Sequence, residues 1–68
     1  MKDLAKAFGI NLRLKRRNKG VSQDQLALLA NIDRSYIGRI ERGEVNITLE
    51  KAYQLANVLE CDIRDLLP

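Results

Sequence analysis

The chain has 68 residues, a net charge of +3, one cysteine and no histidine. A chain of this length forms one small domain, residues 1–68, which buries only about 60 % of its unfolded surface. The single cysteine excludes an internal disulfide, and without histidine the usual ligand sets of a zinc site are missing, so no metal or other cofactor is expected. Stability must therefore come from helix packing, helped by a partner subunit.

No apolar run approaches the length of a membrane span, and the N-terminal sequence lacks the apolar core of a signal peptide. A lone cysteine without an export signal fits a reducing compartment. We therefore expect a cytoplasmic protein with no membrane partner.

Charge is distributed unevenly along the chain. Residues 1–43 carry ten Lys/Arg and four Asp/Glu, a net +6, whereas residues 44–68 carry two and five, a net −3. A basic part beside an acidic part indicates an anionic partner, such as nucleic acid, on one side of the domain. A solvated surface with a chance asymmetry explains the same counts, so charge alone leaves both interpretations open.

Apolar residues recur at spacings of three and four, which predicts an all-α fold. Helix one is predicted from Lys2 to Lys19, with Gly20 as a left-handed stop. Ser22 and Gln25 form the capping box of helix two, which ends at Asn31, a residue that tolerates the left-handed conformation. The side chains predicted to face inward from these two helices are Leu4, Phe8, Leu12, Leu26, Leu29 and Ala30.

Three more helices are predicted. Asp33 caps helix three and Gly43 ends it, Thr48 caps helix four, and Asp62 caps a short helix five. Their predicted inward side chains are Ile37 and Ile40 on helix three, and Leu49, Ala52, Leu55, Ala56 and Leu59 on helix four.

Helix three carries a stripe suited to a DNA groove. Ser35, Gly38, Arg39 and Arg42 follow the spacing of one exposed helix face, with Arg34 at its start. Arginine matches the guanine edge bidentately, and serine can bond to several bases. The alternative is that these arginines only solvate a surface helix. Gly38 is explained either by close approach to DNA or by simple tolerance in a short helix.

Residues 23–42, QDQLALLANIDRSYIGRIER, resemble the helix-turn-helix family of phage repressors, Cro proteins and their XRE-like bacterial relatives. The stretch DRSYIGRIERGEVNITL is most similar to the controller proteins of restriction–modification systems. The resemblance implies a compact, five-helix, lambda-repressor-like domain of bacterial or phage origin that binds double-stranded DNA.

Three departures from the family pattern stand out. Asn31 and Glu60 occupy common glycine positions, and Leu14 and Lys15 exchange an apolar and a polar position, which predicts either a rotated inner face or altered packing of helix one.

The resemblance also implies roles for single residues. The expected base-reading residues are Arg34, Ser35, Gly38 and Arg39. The expected phosphate contacts are Gln23, Tyr36, Arg42, Asn46 and the main chain near Thr48. Arg16 and Glu41 match a family pair that forms a buried salt bridge.

The functional prediction is a transcriptional regulator, not an enzyme, that binds a pseudo-palindromic operator as a homodimer and controls its own operon. Its expected dimer interface comprises Ile63, Leu66 and Leu67, and no small-molecule effector is expected. The alternative is an antitoxin-like protein whose main partner is another protein.

Overall fold

The computed structural model describes residues 3–68, which form four α-helices without a strand and contain no helix long and apolar enough to cross a membrane. The helices are α1 (Leu4–Asn18), α2 (Gln23–Ala30), α3 (Arg34–Glu41) and α4 (Leu49–Val58), and a 3₁₀ turn at Ile63–Asp65 follows them. The all-helical class is therefore confirmed. The start of helix one predicted at Lys2 lies outside the described residues.

The predicted fifth helix is wrong, because the segment makes only the single 3₁₀ turn. Asp62 does cap it, with its carboxylate accepting a hydrogen bond from the Arg64 amide at 2.8 Å. Few residues separate this cap from Pro68, and proline disfavours the α conformation in the residue before it. An α-helix that begins at Ile63 would therefore stop before Leu67, and so few residues do not repay the cost of nucleation.

Local side-chain caps start three of the four helices. Asp3 accepts from the Lys6 amide at 3.0 Å, and Thr48 caps α4 as predicted. Ser22 and Gln25 form the predicted capping box, with bonds of 3.1 and 2.8 Å. These contacts fix where each helix begins, because they satisfy amides that have no partner within the helix.

The position of the N-cap predicted for α3 is confirmed, but its capping hydrogen bond is absent. Asp33 occupies the N-cap position, but its side chain makes no capping hydrogen bond. Its carboxylate instead accepts from the Ser35 hydroxyl at 3.3 Å. The first amides of α3 therefore keep no side-chain partner from Asp33.

Two helices end on residues that are not glycine yet adopt the left-handed conformation. Asn31 ends α2 with φ 56°, and Glu60 follows α4 with φ 55°. At Asn31 the turn is closed by a bond of 2.9 Å from the Ile32 amide to the Ala27 carbonyl. Both tight turns thus form without glycine.

The core fills the space between α1, α2, α3 and α4. Its largest fully buried side chains are Leu12, Leu26, Ile37, Ile40, Leu55 and Leu66. Three leucines predicted to face inward are exposed instead: Leu4, Leu29 and Leu49. Leu4 and Leu49 are the first residues of their helices and project beyond the packed layer. Leu29 lies beside the narrow buried face of α2.

Two glycines bring α1 against the C-terminal end of α3. A Cβ on Gly9 would lie 2.6 Å from the Glu41 carbonyl oxygen, and one on Gly43 would lie 2.6 Å from the Cα of Lys6. Gly43 also has φ 73°, a conformation that L side chains rarely adopt. The backbones therefore touch, which fixes the end of α3 against α1.

The exchange at Leu14 and Lys15 does not rotate α1. Phe8, Leu12 and Arg16 are buried, whereas Leu14 is exposed. Lys15 points toward the C-terminal turn and lies 3.5 Å from an oxygen of Asp65. The polar side chain is thus accommodated as an ion pair at the edge of the core.

Candidate nucleic-acid interface

The unit formed by α2, the turn at Asn31 and α3 is fixed on its inner side by core packing and by a hydrogen bond from α4. Leu26, Ile37 and Ile40 are fully buried under it, and Gln54 of α4 donates a hydrogen bond to the carbonyl of Ala30 at the end of α2. The exposed surface of the unit is therefore set by the first turn of α2 and the outer face of α3.

A buried polar network joins α1, α2 and α3. Arg16 donates to both oxygens of Glu41, from Nε at 2.6 Å and from Nη2 at 3.1 Å, and the side chains of this expected ion pair are only 10 and 4 % exposed. The third nitrogen of Arg16 donates to the Val21 carbonyl at 2.9 Å. Gln23 adds a bond from Nε2 to Glu41 at 3.0 Å. The network thus fixes the start of α2 relative to the end of α3.

Gln23, an expected phosphate contact, therefore already uses part of its hydrogen-bonding capacity within the protein. Its amide nitrogen carries two hydrogens, of which one serves Glu41. The other remains as a donor from a half-buried side chain at the start of α2. Glu41 thereby fixes the direction of the Gln23 amide group.

The outer face of α3 exposes Arg34, Ser35 and Arg39, three of the four expected base-reading residues. Arg34 is not free, because its Nε lies 2.6 Å from Oδ1 of Asp24 in the first turn of α2. This pair was not predicted from the sequence. Its only signal is indirect: the helix-turn-helix topology brings the first turn of α2 near the start of α3.

Gly38 does not lie on the open face predicted for it. It is buried, because Arg42 and Gln23 fold across it. A Cβ at Gly38 would lie 3.1 Å from Nη1 of Arg42 and 3.8 Å from Oε1 of Gln23. The missing side chain therefore makes room for two residues that are expected to contact phosphate.

Arg42 also forms an exposed ion pair, with its Nε 2.7 Å from Oε2 of Glu44. The hydrogen bond from Arg42, together with its charge, lowers the pKa of Glu44 below its ordinary value. The carboxylate is therefore ionised at neutral pH and competes with any anion for the guanidinium group.

The remaining expected phosphate contacts lie on the flank of this surface. The ring of Tyr36 is half-buried against the core, and Asn46 is exposed in the loop before α4. The Thr48 hydroxyl accepts from the Lys51 amide at 3.1 Å. A phosphate contact at Thr48 thus needs the main-chain amides at the start of α4, as the sequence analysis expected.

The three residues expected at a dimer interface differ in exposure. Leu66 is fully buried in the core of the monomer, so its side chain has no surface to offer a partner. Ile63 is half-buried and Leu67 is exposed. Leu67 lines a shallow depression together with the exposed Leu4 and Leu49.

A turn-linked helix pair with a rigid base and a cationic outer helix is the arrangement that lies in a DNA major groove. The helix-turn-helix family model matches residues 12–66, and the chain belongs to this family of DNA-binding transcriptional regulators.

Similar proteins include controller proteins of restriction–modification systems, the group that the sequence was expected to resemble most. Control protein C.SmaI of Serratia marcescens is 37 % identical over 65 residues, which cover 96 % of this chain and 77 % of that protein. Control protein C.BamHI of Bacillus amyloliquefaciens is 36 % identical over 61 residues, covering 88 and 75 %. The crystal structure of the restriction–modification controller protein C.AhdI from Aeromonas hydrophila has a TM-score of 0.89 at 43 % identity, covering 93 % of this chain and 96 % of that one.

Proposed function

We propose that the protein binds a pseudo-palindromic operator as a homodimer and controls its own operon, like a restriction–modification controller. The observation that carries this proposal is the exposed face of α3, with Arg34, Ser35 and Arg39 on a helix fixed at its base by Arg16 and Glu41. The similarity to controller proteins supports the regulatory role.

In this proposal the exposed face of α3 reads base edges in the major groove. Arginine contacts guanine through two hydrogen bonds, and the Ser35 hydroxyl can donate or accept. Gly38 acts indirectly, because its missing side chain lets Arg42 and Gln23 approach the backbone of α3. The contacts proposed for phosphate, which set the register without reading sequence, are Gln23, Tyr36, Arg42, Asn46 and the amides near Thr48.

The dimer interface is proposed on the apolar face formed by Leu4, Leu49 and Leu67. The half-buried Ile63, whose carbonyl accepts a hydrogen bond from the Leu67 amide, is proposed to contribute its exposed part. Leu49 is 71 % exposed and Leu4 61 % exposed, which is costly for leucine unless a partner covers it. A symmetric dimer would place two copies of α3 about one DNA turn apart, roughly 34 Å. Occupancy would then respond to protein concentration, without a small-molecule effector.

Selection of bound duplexes from a random DNA library tests the DNA-binding proposal. We expect a motif with two mirrored half-sites about ten base pairs apart. With about five phosphates contacted, raising salt from roughly 50 to 200 mM should weaken binding several hundred-fold. Recovery of no motif would contradict the proposal. It would favour a protein partner, for which the adjacent exposed Leu28 and Leu29 offer an apolar surface.

Variants separate base reading from phosphate contact. Arg34→Ala should relax the selected motif and weaken binding by about 1–3 kcal/mol, whereas Gln23→Ala should weaken all duplexes alike. An unchanged motif with Arg34→Ala would mean that Arg34 does not read bases.

Sedimentation equilibrium tests the dimer. Leu49→Glu should shift the protein to monomer, since the charge would be buried in the interface. Leu28→Glu is the matched control, because Leu28 is 81 % exposed on α2, away from this face. A Leu49→Glu protein that still dimerises like the control would place the interface elsewhere.

A further inference from the structure

Asp24 is an acidic residue on the surface that meets a polyanion. It lies in the first turn of α2, and its Oδ1 is 2.6 Å from Nε of Arg34. The two side chains are 72 and 67 % exposed. An ion pair this exposed contributes little to folding stability, so stabilisation of the domain is a weak explanation for it.

The contact with Asp24 leaves the two terminal nitrogens of Arg34 available to bind a DNA base. The carboxylate approaches Nε, on the side of the guanidinium group. A bidentate contact with guanine can use the two terminal nitrogens, Nη1 and Nη2. The ion pair at Nε therefore holds the guanidinium group close to Asp24, while its two terminal nitrogens remain available for a base.

The same carboxylate opposes binding to DNA of unrelated sequence. A guanidinium group that meets no matching base can still bind a phosphate, and such contacts supply most non-specific affinity. Asp24 competes with phosphate for Arg34, because both are anions that pair with the same guanidinium group. Selective binding is commonly achieved by a repulsive element of this kind as well as by attractive contacts.

We propose that Asp24 is a specificity-determining residue that acts through Arg34: it holds the guanidinium group in place for base contact and withholds it from phosphate. This inference rests on the proposed function. It assigns to an acidic residue a role in choosing among DNA sequences, where its charge alone would merely weaken binding.

The test compares wild type and Asp24→Asn on two duplexes: the sequence selected by wild type, and a shuffled duplex of the same length and composition. Each contact with a phosphate adds about 0.9 to the slope of log affinity against log salt. On the shuffled duplex the variant should therefore steepen the slope by about 0.9 and bind roughly five- to tenfold tighter at 0.1 M salt. On the selected duplex the slope should not change, so the specificity ratio falls.

Two variants control for charge. Glu60→Gln breaks an exposed ion pair with Lys19, which is not on α3, and should leave the specificity ratio as in wild type. Glu44→Gln releases Arg42, a proposed phosphate contact on both duplexes, so both affinities should rise together. A fall in the ratio with either variant equal to that of Asp24→Asn would overturn the positioning role.

A double variant tests whether Asp24 acts through Arg34. In an Arg34→Ala background, Asp24→Asn should no longer steepen the salt slope on the shuffled duplex. A slope that steepens as before would overturn the inference. So would a wild-type protein that selects a motif while Asp24→Asn keeps the same ratio. A wild type that selects no motif would instead refute the proposed function, and this inference with it.

Discussion

Glu41 connects the stability of the domain to the geometry of the proposed DNA-binding surface, and Glu41→Gln tests that connection. The change keeps the shape of the side chain and removes its charge. The glutamine oxygen can still accept one of the two hydrogen bonds from Arg16, but its NH2 group faces the other donor, and Arg16, whose side chain is 10 % exposed, stays buried as an uncompensated cation. Breaking a buried ion pair from one side costs about 3–5 kcal/mol.

That loss is large for a domain of this size. At roughly 0.05–0.15 kcal/mol per residue, the whole domain is stable by about 3–10 kcal/mol. A loss of 1 kcal/mol lowers the melting temperature of such a domain by about 4–8 °C. We therefore expect Glu41→Gln to melt at least about 12 °C below wild type, measured by circular dichroism and checked by urea denaturation.

Two comparisons make the measurement decisive. Glu50→Gln removes an exposed charge from the first turn of α4, where the helix dipole favours it, and should change stability by less than about 1 kcal/mol. Arg16→Met combined with Glu41→Leu leaves no buried charge and should recover part of the loss. Recovery stays partial because the Val21 carbonyl and the Gln23 amide each lose a partner. A Glu41→Gln protein within about 1 kcal/mol of wild type, or a double variant no more stable than the single one, would refute this reasoning.

Three further predictions concern single positions. Gly9→Ala should destabilise the fold by about 3 kcal/mol or more, since its Cβ would meet backbone atoms of α3; a near-normal melt would contradict that close contact. Gly38→Ala should raise stability by up to about 1 kcal/mol, because only the flexible end of Arg42 must shift, while DNA affinity falls; a lower melting temperature would contradict this. Hydrogen bonds from the Arg64 side chain and backbone lower the pKa of Asp62 from 3.8 to about 2. A lowered pKa means that this cap stabilises the fold above pH 3.8 and loses that effect as the pH falls toward 2. The difference in melting temperature between wild type and Asp62→Ala should therefore shrink over this range, and a constant difference would argue against the cap.

The features that could be predicted from the sequence are those determined by near neighbours in the chain. The capping box of Ser22 and Gln25, the cap at Thr48 and the left-handed turn at Asn31 each involve residues a few positions apart. Their hydrogen bonds satisfy amides and carbonyls that every helix end leaves open. The family resemblance added the ion pair between Arg16 and Glu41, which local pattern alone does not predict.

The features that could not be predicted depend on how the helices meet. Leu49 lies on the same helical face of α4 as its buried apolar residues. It is exposed nevertheless, because no other element within residues 3–68 packs against the first turn of α4. Gly38 belongs to the exposed stripe on a helical wheel, but a wheel does not include the side chain of Arg42 folding across it. The pairing of Asp24 with Arg34 is likewise a contact between helices, and helix periodicity carries no information about it.

Because Gly9 and Gly43 lie in close contact with their neighbours, the packing of α3 and its exposed surface depend on different residues. One face and one end of this helix are fixed against α1, while Arg34, Ser35 and Arg39 project outward and support nothing in the core. Changes on such a surface usually alter stability by less than about 0.5 kcal/mol. If these outer residues read the operator as proposed, exchanging them should change the preferred DNA sequence while the stability of the fold stays nearly the same. The scaffold would then serve as a small DNA-binding domain whose sequence preference can be engineered.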